Sequence, residues 1–497
     1  MSHAIINLQA ITALAFSIIL LVRAGPARVL QPAVRFPLLV SLVAIITLPM
    51  LLFWRTLTLP FTHDTCGLVF MAVHQSVTDI LHLFAPPPMP PDYFFRPLAY
   101  GAFWMYAKWA HLEPVRWNAW CLGIHIGNCL LVYALARQLA FGSFGATVAS
   151  LVFAVHGTRA EAVAWPPVRV DLLATFFVLL TLLAVNKIAE GGSRWWYLCI
   201  VTTASSALLS KEAAYGLPLV AWAMLSWRPK NQRLPVVVTL FAVCAICFLY
   251  RLWVLGGIGG YGTTEGKPAA LHFSLLRLIN GLFYREWAFL FFPINWSERP
   301  EPALWCGLVA MAAVLLAIAI FWPVDDRKGL LRLLVMTVAA ALPAYQLLFL
   351  NTDLNGARVL YLPVLGIALF WGAVIQAQRK IHRQIAVAIG LLFFQSAALA
   401  HNLRIWSEGS LLAQRAYREI SVQLANGQGL MGVENLPATW KGVFFLKNSF
   451  PTCVLLNSGG TLHALPDIRE IPVGAPLDRF ARVYRWNDKS LHFDKLK

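Results

Sequence analysis

Long apolar runs separated by short polar connections dominate the chain. A bilayer core takes about 20 apolar residues per helix, and on that measure about twelve stretches read as spans, near 4–22, 36–54, 117–136, 143–156, 170–186, 195–209, 213–227, 234–254, 303–322, 330–350, 359–377 and 384–400. The first run lacks a basic start and outlasts a signal-peptide core, so a membrane helix is expected there in place of a cleaved leader. Between the second and third runs lies a longer segment, FTHDTCGLVFMAVHQSVTDILHLF, in which Leu68, Val69, Val73, Val77, Leu81 and Phe84 recur at spacings of three and four. That spacing predicts an amphipathic helix lying on the membrane surface. The PPPMPP run at 86–91 predicts a stiff extended spacer, and PDYFFRPLAYGAFWMYAKW a second, aromatic interfacial helix.

Hydropathy falls after His401. An amphipathic helix is expected near 405–424, followed by short apolar runs set between turn residues, GVFFL, TCVLL, TLHAL and ARVYRW, which predict a small β-rich cap. The expected fold is an all-α polytopic membrane protein with interfacial helices in its first external loop. Residues 1–401 form its membrane domain and residues 402–497 a small α+β domain outside the cytoplasm. No 34-residue helical repeat is evident.

Composition sharpens this picture. Hydrophobic residues make up 59% of the 497 and charged residues only 13%, which excludes an ordinary soluble domain. The net charge of +17 does not indicate nucleic acid, because the basic residues sit in short inter-helix clusters and not in one aromatic-laced stripe. Arg23/Arg28/Arg35, Arg137, Lys187/Arg194, Arg228/Lys230/Arg233, Arg327/Lys328/Arg332 and Arg379/Lys380/Arg383 occupy every second connection, which the positive-inside rule places in the cytoplasm. Both termini then lie outside. The eight cysteines are scattered, and the Cys244/Cys247 CxxC sits mid-helix with no second ligand pair, so it reads as packing.

The same topology collects the unusual polar residues on the external face. His156, Arg159, Glu161, Arg169 and Asp171 lie in FAVHGTRAEAVAWPPVRVDLL, and Lys211 and Glu212 in LLSKEAAYGL, at the ends of apolar runs where charge is costly unless partnered or functional. A site on that face has no access to cytosolic nucleotide sugars, and a polyprenyl-phosphate sugar delivered by the membrane is the obvious donor. Its phosphate leaving group needs cations, for which Arg96, Arg159, Arg169, Lys211 and Arg358 are candidates. The acceptor hydroxyl needs a carboxylate base, and Asp64, beside His63 and about ten residues after the second span, is placed for that. Each group also has a purely structural reading: Lys211 with Glu212, or Arg159, Glu161, Arg169 and Asp171 among themselves, as ion pairs, His156 as a satisfied hydrogen-bonding residue, Asp64 as a loop aspartate. Gly257, Gly259 and Gly262 match GxGxxG but follow a membrane helix, so they read as a loop over the site and not a dinucleotide cradle.

The stretches FRPLAYGAFWMY, WNAWCLGIHIGNCLLVYALAR, FAVHGTRAEAVAWPPVRVDLLATFF, LLSKE and ARVLYLPVLG, spanning roughly residues 55–400, resemble the GT-C superfamily of integral-membrane glycosyltransferases. Within it they resemble the transmembrane-and-tetratricopeptide-repeat O-mannosyltransferases and their bacterial relatives. The resemblance implies a GT-C fold and inverting transfer from a polyprenyl-phosphate sugar, with no metal ligand assigned, no cofactor beyond that donor, and a metal requirement absent or weak. It implies Asp64 as base and, through the last motif, Arg358 and Tyr361 in the donor site. The chain departs from the family in having His63-Asp64 where two adjacent acids are common, in Gly356-Ala357 before Arg358, and in lacking the repeat domain. The expected partners are the lipid-linked donor, membrane lipids and a glycan, lipid or protein acceptor, in a bacterial inner membrane with the site facing the periplasm. A transporter or flippase of lipid-linked sugars and an inactive scaffold are the competing classes. A transporter is expected to show repeats or helices broken at mid-membrane.

The topology is testable in intact cells: a cysteine replacing Ser210 is expected to react with an impermeant thiol reagent and one replacing Gln232 to be protected, and the reverse pattern would invert the assignment.

Overall fold

The computed structural model describes residues 2–23, 37–86, 94–226, 228–260, 274–298, 302–321, 326–347, 350–378, 380–425 and 429–497. Helices dominate. In chain order they begin with α1 (Ser2–Arg23), α2 (Leu38–Phe53), α3 (Asp64–His74), α4 (Val77–Leu81), α5 (Pro97–Ala110), α6 (Pro114–Gln138) and α7 (Ser143–Val155). There follow α8 (Arg159–Ala164), α9 (Arg169–Ala189), α10 (Trp195–Leu208), α11 (Leu217–Met224) and α12 (Lys230–Leu255). The series ends with α13 (Leu275–Asn280), α14 (Glu286–Phe291), α15 (Pro302–Phe321), α16 (Arg327–Ala341), α17 (Val364–Gln376), α18 (Ile381–Ala425) and α19 (Phe450–Leu456). A helix overlies each apolar stretch read from the sequence. Five helical segments among the described residues, Leu38–Thr58, Pro114–Gln138, Pro166–Ala189, Lys230–Leu255 and Ile381–Ala425, are by themselves long and apolar enough to cross a bilayer. The protein is a membrane protein.

Residues 61–84 differ from the single surface helix expected of them. Their two halves, Asp64–His74 and Val77–Phe84, are bent by 116°. The break has a local cause. Ser76 accepts from the Asp79 amide while the Asp79 carboxylate accepts from the Ser76 amide, a capping box that starts a new helix there. Of the proline spacer, residues 87–91 lie outside the described residues, as does Gly262 of the glycine run. Helix α5 begins with Pro97 in its first turn, where a missing N–H goes unnoticed, and Trp104 Nε1 ties it back to the Gln75 carbonyl at 2.9 Å.

Small residues let the membrane helices approach closely. A Cβ on Gly372 of α17 would lie 2.7 Å from the Gly145 carbonyl of α7, and one on Gly366 would meet the Leu333 carbonyl of α16 at 2.6 Å. Contact at backbone distance locks these helices into one apolar core that runs from α1 to α18.

Helix α18 is continuous over 45 residues, so the boundary expected between residues 401 and 402 falls inside it. Beyond it, β1 (Met431–Glu434), β2 (Thr439–Trp440), β3 (Val443–Phe444), β4 (Ile468–Ile471), β5 (Arg482–Asn487) and β6 (His492–Lys495) form a four-stranded sheet of order β4-β1-β5-β6 and a two-stranded β2-β3 hairpin. The ARVYRW run supplies β5 and GVFFL supplies β3. TCVLL is helical in α19, started by Pro451 in its first turn, and TLHAL is irregular.

This C-terminal part shares a core with the segment between α2 and α6 and the start of α6: Phe61, Val69, Ala72, Phe103 and Trp117 pack with Tyr417, Phe445, Phe450 and Trp486. Asn457 Nδ2 donates to the Phe61 carbonyl at 3.0 Å, and Tyr417 accepts from the His63 amide while donating to the Phe445 carbonyl. A disulfide joins Cys66 to Cys453 across 387 residues of sequence. Of the remaining cysteines, Cys244 and Cys247 are buried, unpaired packing residues. Ser210 is fully buried, which disqualifies it as a labelling reporter; exposed Lys489 serves in its place.

Replacing Cys453 with Ala is expected to lower stability by about 2–4 kcal/mol. The check is the thermal midpoint of the solubilised protein, which reduction of the unmodified chain should lower to the same degree; an unchanged midpoint would mean that the apolar contacts hold the loop unaided.

Candidate active site

A cavity of about 630 Å³ is lined by α3, the start of α5, the first turn of α9, the 211–216 turn, the end of α12 and the 357–360 turn. Its lining combines apolar groups, among them Leu68, Met71, Phe103 and Phe248, with a set of charged side chains. Each charged side chain stands at or near an element's end.

Asp64 is the first residue of α3, preceded by His63 in the left-handed region at φ 52°. Its carboxylate lies 3.3 Å from His63 Nδ1 and accepts from Asn448 Nδ2 at 3.1 Å. Burial works to raise the Asp64 pKa, but His63, the Asn448 amide and the Arg358 cation outweigh it and hold the group below its ordinary value. Asp64 is therefore ionised at neutral pH and, with its side chain 38% exposed, open to a partner.

Glu212 bridges two cations. Arg96 donates to Oε2 from Nε and Nη2 at 3.0 and 2.8 Å, and Arg251 donates to Oε1 at 2.9 Å. Burial opposes the charge on Glu212, yet the two guanidiniums bring its pKa down to about 2. Arg251 also donates to the Ile258 carbonyl at 2.7 Å, pinning the loop whose Gly259 and Gly260 line the cavity. Lys211 donates to both oxygens of Asp171. Arg358 is held from behind by Glu161, which accepts from its backbone amide at 3.1 Å and from its guanidinium. The guanidinium also lies 5.4 and 5.3 Å from the centres of the Trp165 and Phe444 rings, which stack with centroids 4.3 Å apart.

Six sequence-predicted residues thus meet in the cavity: Asp64, Arg96, Asp171, Lys211, Glu212 and Arg358. Glu161 stands behind Arg358. Lys211 pairs with Asp171, and Glu212 with two arginines, so the Lys211–Glu212 pair contemplated from sequence does not form. Four others lie outside the cavity lining. His156 donates from Nε2 to the Leu290 carbonyl at 2.9 Å and accepts from the Thr158 hydroxyl. Arg159 donates to the Phe153 and Tyr361 carbonyls, with its guanidinium 4.1 and 4.2 Å from the centres of those residues' rings. The Tyr361 hydroxyl donates to His125 Nδ1 and accepts from Asn128. Arg169 packs against Phe103, Trp117 and Trp120, its guanidinium 3.9, 4.2 and 4.7 Å from the ring centres.

Sequence reasoning missed Arg251 and Asn448. A lone arginine near the end of a long apolar run is a signal that intramembrane charge is functional or paired. Asn448 carries no such signal.

Losing Glu212 leaves two guanidiniums without their shared counter-charge. Because its folded pKa is depressed, its contribution to stability is complete above its ordinary pKa of 4.5 and is lost as pH falls toward about 2. Glu212→Gln is therefore expected to lower stability at pH 7 by about 3 kcal/mol and to flatten its acid dependence in that window. Thermal midpoints measured across that range decide it, and parallel curves for the two proteins would refute the bridge.

No protein-family model matches the chain. It is 27% identical over 306 residues to a protein O-mannosyl-transferase of Caenorhabditis elegans, covering 58% of this chain and 43% of that protein. To the protein O-mannosyl-transferase TMTC4 of Homo sapiens it is 26% identical over 319 residues, covering 52% and 42%. The chain thus spans less than half the length of these curated relatives. Among solved structures, the apo oligosaccharyltransferase of Archaeoglobus fulgidus superposes with a TM-score of 0.47 at 14% identity, over 89% of this chain and 65% of that one. ArnT from Cupriavidus metallidurans bound to undecaprenyl phosphate gives 0.44 at 13%, over 92% and 94%. Over just over half of its length, this membrane protein is similar in sequence to protein O-mannosyl-transferases.

Proposed function

We propose that the protein is a membrane glycosyltransferase that moves a sugar from a polyprenyl-phosphate donor to an acceptor hydroxyl on the extracytoplasmic side, with inversion at the anomeric carbon. The observation that carries this reading is the cavity itself, in which an ionised, accessible Asp64 shares one space with four cations and an apolar wall. The names of the curated relatives support the same reaction class. The apolar wall suits a prenyl chain and the cations suit its phosphate.

In the reaction, Asp64 accepts the proton of the acceptor hydroxyl as that oxygen forms its bond to the anomeric carbon. The bond from that carbon to the phosphate oxygen breaks, and its electron pair leaves with the phosphate. Arg96, Lys211, Arg251 and Arg358 stabilise the growing charge, so the leaving group needs no acid. Each of these cations already holds a carboxylate, which keeps it in place before the donor arrives. The disulfide at Cys66, in the same loop as Asp64, supports an oxidising compartment for the site, in agreement with the positive-inside pattern. The acceptor is a hydroxyl of a glycan, lipid or protein.

The test uses a panel of radiolabelled undecaprenyl-phosphate hexoses and measures release of undecaprenyl phosphate by the full-length protein. Asp64→Asn is expected to lower turnover roughly 10²–10⁴-fold with donor binding retained, whereas near-normal turnover would remove Asp64 from the reaction. No release from any donor would sink the proposal as a whole.

A further inference from the structure

The charges that line the cavity or brace its lining are matched, while two buried arginines outside the lining, Arg159 and Arg169, have no carboxylate partner among the described residues. Four cations, Arg96, Lys211, Arg251 and Arg358, face four carboxylates, Asp64, Glu161, Asp171 and Glu212, among the described residues. An anionic headgroup entering this ring meets a constellation with little net charge. Arg159 is held by two backbone carbonyls, and Arg169 differs from it. Arg169 is fully buried, none of its three guanidinium nitrogens has a hydrogen-bond partner, and no carboxylate among the described residues pairs with it. Three aromatic rings surround it in place of counter-charge. Its position is close to the cavity, since Phe103, over which it stacks, and its neighbours Val170 and Asp171 all line that space.

Rings satisfy a guanidinium through their quadrupoles and leave its net charge intact, and a buried charge is weakly screened by salt. We infer that Arg169 is a positioning residue that acts through its field: a permanent, uncompensated positive charge set behind an aromatic screen, biasing the cavity toward a phosphate that it never touches. This rests on the donor reading proposed above. It accounts for why an arginine outside the cavity lining sits two residues from the Asp171–Lys211 pair.

The experiment compares binding of undecaprenyl phosphate and of the uncharged alcohol undecaprenol to the full-length protein in nanodiscs. Arg169→Met fills the slot between the rings without charge, and it is expected to weaken undecaprenyl phosphate about tenfold while leaving undecaprenol unchanged. Arg169→Lys should restore the phosphate binding. Should Arg169→Met fail to fold, Cys121→Asp keeps the arginine, sets a carboxylate beside it and is expected to weaken phosphate binding alone. Equal loss for both ligands would make Arg169 a mere packing residue, and no loss for either would remove its field from the site; both overturn the inference. Unmodified protein that binds undecaprenol but not its phosphate would overturn the donor reading itself.

Discussion

A charge withdrawn from water must be answered by another charge, and that constraint shapes the centre of this protein. Glu212 holds Arg96 from the start of α5 and Arg251 from α12, Asp171 of α9 holds Lys211, and Glu161 of α8 holds Arg358. Each pair ties together segments far apart in sequence. The cavity is therefore the place where the helix ends are fastened to one another, and the polar ring doubles as the architecture's joint. Buried pairs are weak contributors to net stability but strongly directional, which suits a site whose cations must hold their geometry without a ligand.

Much of this is legible in the amino-acid pattern alone. Helices follow from apolar runs long enough to satisfy the backbone inside lipid, and the charged ends of those runs stand out because charge there is expensive. Asp64, Arg96, Lys211 and Arg358 are legible on that ground. What the pattern cannot convey is which way a charge faces. Arg159 opens a six-residue helix and Arg169 follows a proline turn, and both lie in aromatic packing outside the cavity lining.

The disulfide and Asn448 are hidden for different reasons. With eight cysteines scattered along the chain, parity singles out no pair, and Cys66 and Cys453 meet only because two distant segments share a core. Asn448 is an ordinary polar residue in a loop, made relevant solely by the fold that carries it to Asp64.

That shared core has a consequence for how the protein is made. The Asp64 loop leaves the ribosome long before the groups that brace it, Tyr417, Asn448, Cys453 and Asn457. The loop must wait, its thiol unpaired, until every intervening helix has been made. Completion of the cavity is thereby coupled to synthesis of residues near 450, and a chain that stalls partway leaves Asp64 unbraced.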